Sequence, residues 1–144
     1  MDLPRTPYFR LDGKRALVSG AGRGIGLAAA AALADAGAHV TLLSRTAREI
    51  EEAAEAISGR GGAADTLVLD VLDAEAAARA IAAAEPFEVL VNNAGTNRPK
   101  PFADVTHDDF DAVMDLNVRA AFFLAQAVAK RLLAAGRGGS IINV

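Results

Sequence analysis

Apolar and polar residues alternate along this 144-residue chain in two periods, one near two residues and one near 3.6, and the switches between them mark out elements. Arg15-Ala-Leu-Val-Ser19 is a short apolar run entering the glycine-rich segment Gly20-Ala-Gly-Arg-Gly-Ile-Gly26, the pattern of a buried strand that leads into a tight turn. Residues 27–36 predict a helix closed by Gly37. His39-Val-Thr-Leu-Leu43 predicts a second strand, and Thr46 with Glu49 three residues later predicts a capping-box start for a helix through about Ser58. Gly59, Gly61 and Gly62 break it. Thr66-Leu-Val-Leu-Asp70 predicts a third strand, and Asp73 an N-cap for an alanine-rich helix that ends near Glu85-Pro86. Phe87-Glu-Val-Leu-Val91 predicts a fourth strand running into Asn92-Asn-Ala-Gly95. Thr106 with Asp109 caps the next helix, in which Phe110, Val113, Met114, Val118, Ala121 and Ala125 keep helical spacing. That pattern continues to about Ala135, and Ser140-Ile-Ile-Asn-Val144 reads as a fifth strand.

Strands separated by helices of this length demand parallel pairing through right-handed crossovers, hence a doubly wound α/β sheet with helices on both faces. Ligands of such sheets bind at the carboxyl ends of the strands. Composition narrows the classes further. The chain is 52% hydrophobic, but 34 of its residues are alanine, which favours helix without making a membrane span. The longest unbroken apolar run, residues 27–34, is well short of the roughly 20 a bilayer needs, and the polar first 14 residues lack the apolar stretch of a secretory signal. With no cysteine there is no disulfide framework and no thiolate metal site. A net charge of -3, without a basic run, argues against a nucleic-acid partner. The expectation is a soluble, cytoplasmic α/β domain that contacts neither nucleic acid nor membrane.

Each strand end carries residues with chemical meaning. Gly20, Gly24 and Gly26 allow a sharp turn, a close approach to ligand and tight helix packing, while the following helix N-terminus presents free N–H groups to an anion such as a pyrophosphate. The spacing is Gly-x-x-x-Gly-x-Gly; neither register fits G-x-G-x-x-G, and no Gly-Lys-Ser or Gly-Lys-Thr follows to make a P-loop. After the second strand, where NAD-selective domains place a carboxylate, stands Ser44-Arg45-Thr46. A guanidinium and two hydroxyls suit a 2′-phosphate, and Arg23 in the glycine turn is placed to reach the same group. NADP(H) is therefore favoured, with NAD(H) possible. Asp70-Val71 closes the third strand and Asn92-Asn-Ala-Gly95 the fourth.

Together these motifs resemble the short-chain dehydrogenase/reductase family. The residues that carry the likeness are Ser19-Gly-Ala-Gly-Arg-Gly-Ile-Gly26, Asp70-Val71, Asn92-Asn-Ala-Gly95, Asn117 within Asp115-Leu-Asn-Val118, and Gly139-Ser-Ile-Ile-Asn-Val144. They fall in the family's order and span nearly the whole chain. The resemblance implies a Rossmann-type fold in three α/β/α layers. It implies that Gly20, Gly22, Arg23, Gly24, Ile25 and Gly26 cradle the pyrophosphate, with Ile25 near the nicotinamide half, and that Ser44 and Arg45 meet the 2′-phosphate. By the same likeness Asp70 and the Val71 backbone hold adenine, and Asn93, Ala94 and Gly95 line the ribose side. Asn117 would be one of four catalytic residues, at a helix irregularity where a backbone carbonyl holds a relay water. An oxidoreductase moving hydride between NADP(H) and a small carbonyl or secondary alcohol follows, in a homo-oligomer (dimer or tetramer).

The family's other catalytic residues are a Ser, a Tyr and a Lys four residues after it. The single tyrosine here, Tyr8, precedes the first strand and is followed four residues later by Asp12. The expectation is that residues 1–144 form the N-terminal, cofactor-binding part of a longer single-domain protein, apparently truncated after the fifth strand and inactive by themselves. The alternative is a non-catalytic NAD(P)-binding or regulatory domain. A methyltransferase-like domain is disfavoured, since it wants a carboxylate where Ser44 and Arg45 stand.

Overall fold

The computed structural model describes Met1 and residues 8–144. Strands and helices alternate as β1 (Arg15–Ser19), α1 (Gly24–Asp35), β2 (His39–Ser44), α2 (Ala47–Gly59), β3 (Ala63–Val68), α3 (Ala74–Ala83) and β4 (Val89–Asn92). A 3₁₀ turn (Phe102–Asp104) precedes α4 (His107–Met114), which runs through a π-helical segment (Asp115–Ala120) into α5 (Ala121–Ala134) and then β5 (Ser140–Asn143). All strand pairs are parallel, in the order β3-β2-β1-β4-β5. The chain winds outward through β2 and β3, then returns to the other side of β1 for β4 and β5. This is the doubly wound, Rossmann-type arrangement, and its reversal point lies between the carboxyl ends of β1 and β4.

The period-two alternation of the strands divides the core. Ala16, Val18, Val40, Leu42, Val89 and Val91 face one side and pack with α1 and α2 through Ala30, Ala34, Ile50 and Ile57. Leu17, Leu43 and Leu90 face the other and meet Ile81 of α3 and Leu124, Val128 and Leu132 of α5. Alanines on α1 keep that helix thin, so it lies close under the glycine turn.

Several details differ from the sequence expectation, the fourth strand among them, which runs Val89–Asn92 and not 87–91. The third strand starts at Ala63 and ends at Val68, because pairing follows β2 from His39↔Ala63 to Ser44↔Val68, not the apolar residues alone. Leu69 still donates its N–H to the Ser44 carbonyl at 3.0 Å, whereas Asp70 has left the ladder and its Oδ1 accepts the Leu72 N–H at 3.0 Å. Helix α1 begins at Gly24, inside the glycine segment and not after it. Thr46 is the N-cap of α2 but forms no capping box with Glu49; its N–H donates instead to Ser44 Oγ at 3.2 Å. The other two caps form as expected: Asp73 accepts from Ala76 N, and Thr106 and Asp109 make a complete capping box.

The run from His107 to Ala134 is a single 28-residue helix, long and apolar enough by length and composition to cross a membrane, although polar residues interrupt its apolar runs. Here it lies on the sheet. Ala120, Leu124, Val128 and Leu132 are buried against the sheet and α3. Phe110, Val118 and Phe122 are exposed on its outer side.

Candidate functional site

At the reversal point β1 ends on a buried serine. The Ser19 hydroxyl accepts the N–H of Asn93 (3.0 Å) and of Ala94 (3.1 Å) and donates to the Val91 carbonyl (3.4 Å), which exhausts its bonding capacity. The Asn93 side chain returns across the crevice, its Nδ2 donating to the carbonyls of Ser19 (3.2 Å) and Gly20 (3.1 Å). The ends of β1 and β4 are thus tied by five hydrogen bonds. Gly26 permits this knot: a Cβ there would stand 2.2 Å from the Gly20 oxygen and 2.5 Å from Asn93 Nδ2. Gly20 and Gly24 have φ of 64° and 57°, the left-handed region that glycine enters freely.

The turn delivers the chain to a helix end without an internal partner. No side chain caps α1, no acid lies in its first turn, and Arg23 occupies the N-cap position in extended conformation. Helices α3 and α4, by contrast, satisfy their first N–H groups with Asp73 and Thr106. The open N–H groups and positive dipole end of α1 can receive an anion.

In front of it lies a groove of about 400 Å³. Gly20, Gly22, Arg23, Gly24 and Ile25 form one wall, Ser44 and Arg45 the end at β2, and Asp70, Val71, Asn93, Ala94 and Gly95 the opposite side. Every residue expected at a cofactor is therefore in the lining except Gly26, which lies beneath it. A second groove of about 530 Å³ continues past Arg45, Val71 and Leu116 toward Thr96, Arg98 and Arg119.

Asn117 stands in the π-helical segment, outside the first groove. An asparagine in an apolar helix suggests a satisfied buried amide, yet this one is exposed. Its Oδ1 accepts the Thr96 N–H at 2.8 Å and its Nδ2 donates to the Thr96 carbonyl at 2.9 Å. The side chain thus mimics a strand partner and pins the start of the loop that follows Gly95. The far end of that loop is fixed by Asp109, only 7% exposed, which takes Lys100 Nζ at 2.5 Å together with the Thr106 N–H and hydroxyl. Arg98 adds a guanidinium at 3.6 Å. The Lys100 ammonium and then the Thr106 donors hold the Asp109 carboxyl far below the ordinary carboxylate range.

At the opposite ends of the strands Glu88 is buried. Burial works to raise its pKa, but the Arg15 N–H and the charges of Arg137 and Lys14 outweigh it and leave it lowered. Tyr8 lies outside all this, exposed, donating to Asp12 Oδ2 at 2.8 Å.

Three participants were not visible as such in the sequence. Ser19 is a tie between strands as well as a motif residue; a polar side chain closing a buried strand was the available signal. Asn92, buried, donates to the Ala121 carbonyl at 3.1 Å and to Asn143 Oδ1 at 3.0 Å, joining β4 to the π-helical junction and to β5. Glu49 lines the groove, where its capping-box pattern suggested another use.

This fold is that of a doubly wound, Rossmann-type α/β protein. A family model of short chain dehydrogenases matches residues 14–144, and the chain belongs to that family. It is 44% identical over 138 residues to D-erythrulose reductase of Gallus gallus, covering 96% of this chain and 54% of the relative. Gluconate 5-dehydrogenase of Gluconobacter oxydans is 43% identical over 140 residues, covering 94% and 54%. Among solved structures, a gluconate 5-dehydrogenase from Burkholderia cenocepacia in complex with NADP and tartrate superposes with a TM-score of 0.87 at 41% identity, over 94% of this chain and 55% of that one. The chain spans about half the length of the curated relatives it matches.

Proposed function

We propose that these residues form the dinucleotide-binding part of an NADP(H)-dependent oxidoreductase that acts on a carbonyl or secondary alcohol of a small sugar or polyol. The observation that carries the reading is the uncapped N-terminus of α1 facing a groove whose β2 end offers Arg45, Ser44 and Thr46. A pyrophosphate fits the first and a 2′-phosphate the second. The relatives named as D-erythrulose reductase and gluconate 5-dehydrogenase, and the NADP-bound gluconate 5-dehydrogenase structure, support both the cofactor and the substrate class.

When bound, the dinucleotide supplies or accepts the hydride. The protein's own residues do the rest. Gly20–Gly26 give backbone N–H groups to the pyrophosphate; Arg23 and Arg45, neither with an ion-pair partner among the described residues, neutralise the 2′-phosphate. Asp70 and Val71 border adenine, and Asn93, Ala94 and Gly95 the ribose side. Asn117 fixes Thr96 with its side chain, and in our reading its backbone carbonyl, in the π turn, holds a water for proton transfer. The exposed stripe Phe110, Met114, Val118 and Phe122 supports self-association along this helix.

Fluorescence titration with NADPH and NADH tests the reading. NADPH binds more tightly, and Arg45→Ala removes most of the difference, about tenfold or more for a charge-assisted phosphate contact worth roughly 1.5–3 kcal/mol. Equal affinities in the unsubstituted protein overturn the NADP(H) assignment.

A further inference from the structure

The groove contains one carboxylate that the cofactor reading leaves unused. Glu49, in the first turn of α2, has the sequence position of a capping-box acid, yet Thr46 makes no side-chain capping bond. Its side chain is turned to the glycine segment instead. A Cβ on Gly22 would lie 2.7 Å from Glu49 Cβ and 2.9 Å from Glu49 Oε2, so the carboxylate occupies the space that the missing side chain of Gly22 leaves open. Glu49 lines the same groove as Arg23, Ser44, Arg45 and Thr46, and among the described residues it forms no ion pair. Arg48, its neighbour in sequence, is paired with Glu52 at 2.7 Å. An unpaired negative charge thus shares with two unpaired positive ones the groove in which the 2′-substituent of the adenosine ribose is expected.

We propose that Glu49 is a specificity-determining residue of the nucleotide site: it accepts hydrogen bonds from free ribose hydroxyls and opposes a 2′-phosphate. The proposal rests on the dinucleotide reading above. Dinucleotide sites that select NAD supply a carboxylate to the ribose from the end of the second strand. Here that position is held by Ser44 and Arg45, and the acid arrives from one turn into the next helix, across Gly22. A 2′-phosphate carries about 1.5 to 2 negative charges near neutral pH, so a carboxylate close by lowers its affinity, whereas a ribose hydroxyl is a donor that the same carboxylate favours. The two effects have opposite signs for the two dinucleotides. The site holds both selectivities in opposition, with the arginines on one side and Glu49 on the other.

The test is calorimetric titration of the unsubstituted protein and Glu49→Gln with NADPH, NADH, 2′,5′-ADP and 5′-AMP at low ionic strength. Glutamine keeps size and shape at a half-exposed position, and thermal melts check the fold. Removing one like charge from the groove, with partial screening, raises NADPH and 2′,5′-ADP affinity about three- to tenfold. NADH and 5′-AMP affinities stay equal or fall. The gain shrinks in high salt. A change of equal size and sign for both dinucleotides, or none for either, overturns the proposal and leaves Glu49 as a helix-dipole residue. If NADPH and NADH both fail to bind the unsubstituted protein, it is the dinucleotide reading itself that fails.

Discussion

Ser19→Ala is the sharpest probe of the knot that holds the site open. The substitution removes one oxygen from a residue 2% exposed and leaves the fold's apolar packing almost untouched, so its effect isolates the hydrogen bonds. Two donors, Asn93 N–H and Ala94 N–H, lose their acceptor, and the Val91 carbonyl loses a donor. An unsatisfied buried donor costs roughly 1–3 kcal/mol. Because Asn93 and Ala94 are only partly buried, water reaches them in part and the lower end applies, giving about 2–3 kcal/mol in total. In a chain of this size that corresponds to a fall in Tm of roughly 2–4 °C per kcal/mol. Urea denaturation followed by circular dichroism measures it directly, with an unchanged m-value expected because the native surface is unchanged. Ser19→Thr, which retains the hydroxyl, is the control and loses less. If Ser19→Ala lies within about 0.5 kcal/mol of the unsubstituted protein, these bonds do not hold the crevice and Ser19 does not position Asn93 and Ala94 for a ligand.

Gly26→Ala places a methyl group 2.2 Å from the Gly20 carbonyl oxygen, a contact that only a backbone shift can relieve; NADPH binding falls beyond detection in fluorescence titration while circular dichroism keeps its helical signal. Asp109→Asn releases Lys100 and Arg98 and makes residues 96–106 more accessible in hydrogen exchange. Its pH dependence has a definite sign. The folded carboxyl is held below its unfolded value of about 3.9, so the charge stabilises fully above that pH and its contribution disappears as pH falls toward the lowered folded value. The stability difference between the unsubstituted protein and Asp109→Asn is therefore level from pH 7 to about 5 and narrows below about 4, as acid denaturation curves would show.

The fold was legible because patterning and crossover rules act locally. β1 runs over the residues its apolar run marks, and the caps at Asp73 and Thr106 form because each side chain can reach an N–H three residues on. Where the sequence misled, a distant partner decided. Ala63, Ala64 and Asp65 have no strand signature, yet β2 offers them a ladder. Glu49 has the spacing of a cap, yet the space over Gly22 claims it. The site residues were readable as motifs at strand ends. Their wiring was not, since the bonds from Ser19 to Asn93 and from Asn117 to Thr96 span 74 and 21 residues.

The π segment has one more consequence. An i→i+5 turn holds one residue more than an α turn, and each residue of an α-helix advances the side chains by about 100°. The wide turn absorbs that extra residue, so α4 and α5 keep the phase of one continuous helix. Deleting one residue of the segment other than Asn117 would restore a regular helix and leave Asp109 on Lys100 and Leu124, Val128 and Leu132 on the sheet. The change would be confined to the turn itself, where Asn117 would lose the displaced position from which its side chain holds both backbone polar groups of Thr96. The irregular turn thus lets the helix grip the loop beside the groove at one residue without disturbing either flank.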